Sequence, residues 1–339
     1  MKFRKTIAAL ASAVLAVSPA ACGGGDSDDG GTLVVGFQDN GFPTLVEKSG
    51  VLKGAPYKVE WALLTGPAAN LSALYSKKID IGHMGDTSLT IEQANARQEW
   101  TAGNAPLKIV AGWRPGLDTD YPQIVTAVRT DAGINSLKDL RGRKWAYNFG
   151  GYNHAHYLAS LIKAGLTEKD IKPVQFADGN TSAAGFNSGQ TEVYSGLPGP
   201  ILESLDSGKA KILLTEKDTG VPGLHVWTAR ADVLADPVKD RNLRDFFTRL
   251  AGYWDWHQAN LPTVKQTLKD VLKLSDRRAE FEAGTRAARY RLLDEELIKR
   301  EQKVADVLFA GNAIKRKVDV TLSYDPRYNT AQKAQPLYE

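Results

Sequence analysis

The sequence predicts an α/β protein of two lobes. Short β-branched runs alternate with amphipathic helical stretches, and that alternation starts afresh near Gln123. The 339 residues, 42% hydrophobic and 24% charged, also suffice for two units of roughly 100–200 residues each. This composition excludes disorder over most of the chain, since ample apolar surface is available for burial. The 31 Gly and 15 Pro follow no repeat and no long heptad run occurs, which excludes collagen-like and coiled-coil classes.

Taken in order, residues 33–37 (LVVGF) read as a buried strand and 57–61 alternate as a strand should. The loop Thr65-Gly66-Pro67 leads into a helix over 68–77 with an apolar stripe of Ala69, Leu71, Ala73 and Leu74. Residues 79–82 form the next strand, 87–97 the next helix, and 107–113 a further strand. The second unit opens with a strand at 123–128, and Ser136 caps a short helix over 137–140. A strand at 144–147 runs through a glycine turn into a helix over 154–164, which Gly165 closes. Further strands are expected at 174–176, 191–194 and 212–214. From 242 to 309 the apolar period becomes helical, and Gly311 and Asn312 end it.

The N-terminus reads as an export address. Lys2, Arg4 and Lys5 precede a short apolar run over 6–17 and the small residues Ser18, Ala20 and Ala21. That run falls short of the ~20 residues that span a bilayer. Cys22, the only cysteine, stands where a lipoprotein signal places its acylated residue, followed by a Gly/Asp/Ser tether to residue 31. Pro19 occupies the place where that pattern prefers leucine; the alternative is ordinary cleavage after Ala20, leaving a free thiol. Without Lys2, Arg4 and Lys5, 40 basic residues face 39 acidic ones, and no basic run is interleaved with aromatics, so nucleic acid is not expected as a partner. One cysteine also excludes intramolecular disulfides.

Enzyme motifs are missing: there is no H-E-x-x-H, G-x-S-x-G, Walker loop or C-x-x-C. The five histidines are scattered, and His154 and His156 diverge on a helix, so no metal site is expected. Two loops point instead to a binding cleft. Gly66, Pro67, Ala68 and Asn70 lie between a strand and a helix in the first unit. Asn148, Phe149, Gly150, Gly151, Tyr152 and Asn153 do so in the second. Such loops sit at the carboxyl ends of strands, where ligands bind, and helix N-termini favour anions. Asp86 and Thr87 form a third such loop, as ligand contacts or as a helix cap. An unpaired carboxylate beside an anion is costly, so Asp86 speaks against a bare anion. Trp113 and Arg114 end a strand near the expected crossover, Arg114 as a fork donor or a solvated charge. Tyr147, Phe149, Tyr152 and Trp227 are pocket walls or core.

The stretches GPAANLSALYSKKIDIGHMGDTS, SLKDLRGRKWAYNFGGYNHAHYLASLIKAGL and EQKVADVLFAGNAI resemble the solute-binding proteins of ABC importers. The resemblance is to the NMT1/THI5-like branch that handles aliphatic sulfonates, taurine and nitrate and is related to thiamine-precursor binders. It covers most of the chain from residue 31 to about 320 and implies the type II periplasmic-binding-protein fold, two α/β lobes joined by two crossover strands. The expected division is a signal peptide over 1–21 and a lipidated tether over 22–31. One lobe follows from 32–116 and 224–339, the other from 117–223. The family's pocket maps onto Gln38 and Asn40, onto Gly66, Pro67, Ala68 and Asn70, onto Asp86 and Thr87, and onto residues 148–153. Where relatives carry an aromatic-acid-Pro sequence, this chain has Val193-Tyr194-Ser195-Gly196, which puts Ser195 at the pocket and leaves the ligand open.

The implied function is extracytoplasmic capture of a small organic anion, first an alkanesulfonate, by a membrane-anchored monomer that serves a permease and its ATPase, without a cofactor. Three alternatives stay open: a nitrogen heterocycle such as a thiamine precursor, an enzyme on the same fold, and a sensor that presents the ligand to a receptor.

Overall fold

A computed structural model describes residues 30–115 and 120–337. The export address, Cys22 and most of the tether lie outside the described residues. The chain runs through β1 (Thr32–Phe37), α1 (Gly41–Ser49), β2 (Lys58–Leu63), α2 (Gly66–Tyr75), β3 (Ile81–Gly85), α3 (Ser88–Asn95) and β4 (Leu107–Pro115). It continues through β5 (Val125–Arg129), β6 (Lys144–Asn148), α4 (Gly151–Lys163), β7 (Lys172–Phe176), α5 (Gly179–Asn187), β8 (Val193–Gly196), α6 (Leu202–Asp206), β9 (Ala210–Thr215) and α7 (Glu216–Thr219). It returns through β10 (His225–Arg230), α8 (Ala231–Ala235), α9 (Pro237–Ala259), α10 (Leu261–Leu272), α11 (Asp276–Thr285), β11 (Ala288–Arg291) and α12 (Glu295–Ala310).

The strands make two sheets, ordered β11-β4-β10-β3-β1-β2 and β7-β6-β8-β5-β9. β1 pairs in parallel with β2 and β3, as β6 does with β7 and β8. β10 pairs antiparallel with β3 and β4, and β5 antiparallel with β8 and β9. In each sheet the antiparallel strand in the middle is the first one after the chain crosses from the other lobe. This is the type II periplasmic-binding-protein fold with its two crossovers.

Burial explains why these segments became strands. β3 is buried at every position, as expected of a strand covered on both faces, while β2 at the sheet edge alternates between exposed and half-buried positions. One core cluster holds Phe37, Phe42, Trp113, Trp227, Phe246, Phe247 and Trp254 under the larger sheet. Another runs from lobe to lobe and includes Leu89, Ile124, Tyr157, Leu161 and Leu308. α12 of the larger lobe packs on α4 of the smaller one.

The reading of 242–309 as wholly helical needs correction. Ala288–Arg291 forms β11, which pairs antiparallel with β4. Four residues with Arg at alternate positions (ARYR) are too short to interrupt a helical period, and the strand is dictated by the open edge of β4. α1, α5 and β10 were not anticipated. β10 was hidden because its Trp227 reads as a pocket wall, yet the strand lies at the centre of the larger sheet.

Glycines bring the lobes together where the helices begin. A Cβ on Gly85, at the end of β3, would lie 2.6 Å from the backbone nitrogen and from Cδ1 of Tyr152 in α4. Gly66, at the start of α2 with φ +80°, would meet the carbonyl oxygen of Ala177 at 2.6 Å. Gly85→Ala therefore pushes α4 away from β3. Its expected cost is about 1–3 kcal/mol, the usual penalty for overpacking, measured as a lower midpoint of urea unfolding; an unchanged midpoint contradicts the close approach.

Candidate functional site

Between the lobes lies a cavity of about 1050 Å³. This matches the upper end of the ~300–1,000 Å³ typical of small-molecule sites. Gly66 and Pro67 from the start of α2, and Gly150, Gly151, Tyr152 and Asn153 from the start of α4, line it from opposite lobes. The N-cap residues of these helices, Thr65 and Gly150, provide no side-chain cap. The starts of two helices therefore border one space, with Gly66 of α2 and Gly151, Tyr152 and Asn153 of α4 as the N–H-bearing residues at it, an arrangement that favours an anion. By contrast α5, whose start also borders the cavity, is closed by Asp178 accepting from the N–H groups of Asn180 and Thr181.

Arg114 lines the floor at the end of β4, bonded through Nε to Gln123 Oε1, and Gln123 Nε2 in turn donates to the carbonyl of Gly223. Among the described residues Arg114 has no carboxylate partner, so its guanidinium edge remains available to an anion. The other cavity arginines are engaged. Arg286 pairs with Asp39 (3.1 Å) and Glu282 (2.8 Å). Arg278 pairs with Glu282 (2.7 Å) and reaches across the cleft to Asn180 Oδ1 (2.9 Å). Burial disfavours the charge of Arg286, but the two carboxylates outweigh it and hold the group firmly protonated.

Of the expected site residues, Gln38, Gly66, Pro67, Trp113, Arg114, Asn148, Gly150, Gly151, Tyr152 and Asn153 line the cavity. The remaining eight stand elsewhere, each for a physical reason. Asn40 is exposed as the N-cap of α1, and its carbonyl accepts from Thr44. Ala68 points to solvent from the outer side of α2. Asn70 is fully buried and donates to the carbonyls of Leu64 and Gly66, which shapes the loop from behind. Phe149 folds its ring over His154, 5.0 Å away. Ser195 is buried among Thr126 Oγ1 (2.8 Å) and Trp145 Nε1 (3.0 Å). Trp227 belongs to the core, tilted on Phe37 and Trp113.

Asp86 and Thr87 complete the eight. Asp86 Oδ2 accepts from Leu224 N (2.6 Å), Oδ1 accepts from Thr87 N (2.8 Å), and the Asp86 N–H donates to Leu224 O (3.0 Å). Both oxygens of the carboxylate thus help to pin the returning crossover to the end of β3. Thr87 is buried as the N-cap residue of α3. Behind Asp86 stands Glu301 of α12, also buried. Burial and the neighbouring Asp86 push the Glu301 carboxyl well up. Burial pushes Asp86 up as well, to about 6, but the N–H groups of Leu224 and Thr87 favour its ionised form and hold it below Glu301, so the proton shared by the pair resides on Glu301.

Sequence reading missed Glu282 and Arg286, an i,i+4 pair at the end of α11, and Asp39, which reaches Arg286 only because α11 meets the β1–α1 turn, and it missed His83 and His225. β10 sets His225 opposite Gly85 and Trp227 opposite His83. The two imidazoles meet with Nε2 and Nδ1 3.0 Å apart. Alternation along β3 and β10 would have been the only signal, and β10 was not recognised. Among the described residues no group of three or more His, Cys, Asp or Glu could hold a metal ion, and no helix is long and apolar enough to cross a membrane.

The fold and the cleft define the class: the two-lobed periplasmic-binding-protein fold with a cavity between its lobes. Residues 119–226 match the family model described as NMT1/THI5 like. An Escherichia coli (strain K12) protein named for binding aliphatic sulfonates is 23% identical over 295 residues, 85% of this chain and 86% of that protein. The alkanesulfonate-binding protein SsuA from Xanthomonas axonopodis pv. citri, solved with bound MOPS, superposes with a TM-score of 0.71 at 21% identity over 87% of this chain and 98% of that one. The desulfurization enzyme DSZB shares the fold at a TM-score of 0.56 and 13% identity, over 89% of this chain and 99% of that one. These matches bear out the family resemblance read from the sequence.

The buried carboxyl pair gives a pH test. In the folded chain Glu301 holds its proton above the ordinary carboxyl range, so its contribution is favourable at low pH and is lost as pH rises toward its raised value. Glu301→Gln removes that titration. The variant is expected to gain thermal stability over the parent as pH goes from 5 to 8, by several degrees at the upper end. A difference in melting temperature that does not vary with pH contradicts the shared proton.

Proposed function

We propose that the protein is the extracytoplasmic solute-binding component of an ABC importer and captures a small organic anion, first an aliphatic sulfonate. The observation that carries this reading is the convergence of two helix N-termini, one from each lobe, with Arg114 on a single cavity. A ligand touching both helix starts binds the closed arrangement better than the open one, and that differential affinity drives hinge closure. The name of the Escherichia coli relative and the MOPS-bound neighbour point to the same ligand class. Residues 32–116 and 224–339 would move as one lobe and 117–223 as the other, with export and anchoring through Cys22 and with delivery to a permease and its ATPase.

No bond is made or broken in this reading. Neither serine nor cysteine lines the cavity among the described residues, and the cavity histidines face each other rather than a nucleophile. An amine-bearing heterocycle is less well served, because Asp86, the carboxylate meant for it, is consumed by Leu224 and Thr87.

Thermal unfolding of residues 32–339 against ethanesulfonate, taurine, sulfate, nitrate and pyrimidine precursors tests the assignment. A ligand at 100 times its Kd adds about 2.7 kcal/mol, and the shift is expected with the sulfonates; a shift confined to heterocycles overturns the assignment. Arg114→Ala is expected to weaken sulfonate binding by roughly tenfold to a hundredfold, the loss of a charged hydrogen bond, read by calorimetric titration.

A further inference from the structure

His83 lies on the cavity floor with its ring between Phe37 (centroids 4.3 Å apart, interplanar 11°) and Trp113 (5.2 Å, 26°). Its Nδ1 is buried without a hydrogen-bond partner. A buried N–H left unpaired is rarer and costlier than an unpaired acceptor, so Nδ1 carries the lone pair and Nε2 the hydrogen. His83 Nε2 then donates to His225 Nδ1, 3.0 Å away. His225, with Nδ1 accepting, holds its own hydrogen on Nε2. Among the described residues the only hydrogen-bonding atom near that nitrogen is Tyr152 Oη at 3.4 Å, beyond the ~2.7–3.2 Å of a good bond. His225 lines the cavity and is partly exposed there.

We propose that His225 is a receptor for the ligand's anionic oxygen, donating from Nε2, and that His83 is the positioning residue that fixes its tautomer. The proposal rests on the organic-anion reading and adds the residues that select an oxyanion as an acceptor at the cleft floor. A ligand presenting a donor at this point, such as an amine or a protonated ring nitrogen, would leave Nε2–H unpaired and be rejected. The charged groups acting on the pair suit an anion. Arg286, from the end of α11, acts on both rings, and Arg114 (β4) and Asp39 (β1–α1 turn) on His225; Tyr152 of α4 closes the last side. Burial first, and then Arg286, push His225 down to about 4, so it works as a neutral donor at ordinary pH.

The test is nitrogen-15 NMR of the histidine side chains in the intact protein, with ethanesulfonate as probe, alongside calorimetric affinities of His225→Phe and His83→Phe. Expected in the free protein is His225 protonated at Nε2 and not at Nδ1, with His83 likewise protonated at Nε2 and bare at Nδ1. Ethanesulfonate is expected to shift the His225 Nε2 resonance. His225→Phe, which keeps the ring stack, should weaken binding by about tenfold or more, the loss of one hydrogen bond to a charged acceptor. His83→Phe should give a mixture of His225 tautomers and a smaller loss. His225 protonated at Nδ1, or a Nε2 resonance that ethanesulfonate leaves unmoved while calorimetry records binding, overturns the receptor role even if the variants fail to fold. Absence of any ethanesulfonate binding to the parent protein, with the tautomer as drawn, brings down the sulfonate reading and the receptor role with it.

Discussion

The molecule depends on one close approach: the starts of α2 and α4, the end of β3 and the turn after β7 bring the two lobes together with almost no side chain between them. Gly85 lies against Tyr152, Gly150 against Pro67, and Gly66 against Ala177, each at a distance that excludes a larger residue without movement. Partial positive charge from two helix starts gathers there, and aligned dipoles of like sign repel in the absence of a counter-charge. An anion supplies that counter-charge. In the proposed function the same contact that makes the site is the one a bound anion would stabilise, so recognition and closure would share one physical cause.

The crossovers are held by polar groups that are fully occupied. Asp86 binds Leu224 through both directions of the backbone, and Gln123 links Arg114 to Gly223. The floor arginine is thereby connected to both crossover segments. Glu301, buried behind Asp86, is expensive in ionised form and is tolerated because it keeps a proton while Asp86 keeps the charge. A carboxylate that looks in sequence like a ligand contact turns out to fasten the returning crossover to the end of β3.

Much of the architecture was legible in the sequence because it is written in local signals. Strand runs such as 33–37 and 144–147, the glycine turns before two helices, and Arg114 at the end of a strand all fell where hydrophobic period and turn chemistry place them. The loops at 66–67 and 150–153 reached the cavity for the same reason. Most of what failed depended on distant partners. Ser195 and Trp227 have the chemistry of ligand contacts, but buried hydroxyls and packed rings elsewhere in the fold claim them, while Asn70 is taken by the carbonyls of Leu64 and Gly66 in its own loop. β11 exists because β4 offers an edge, and the His83–His225 contact exists because β10 is inserted between β3 and β4. No window of sequence holds either fact.

A crystal structure of the protein grown with ethanesulfonate tests the central claim most directly. The account predicts a single anion in the cleft, with sulfonate oxygens within hydrogen-bonding distance of first-turn N–H groups of both α2 and α4 and of the Arg114 guanidinium. A sulfonate held by one lobe alone, or bound outside the cleft while the starts of α2 and α4 remain in contact, contradicts it.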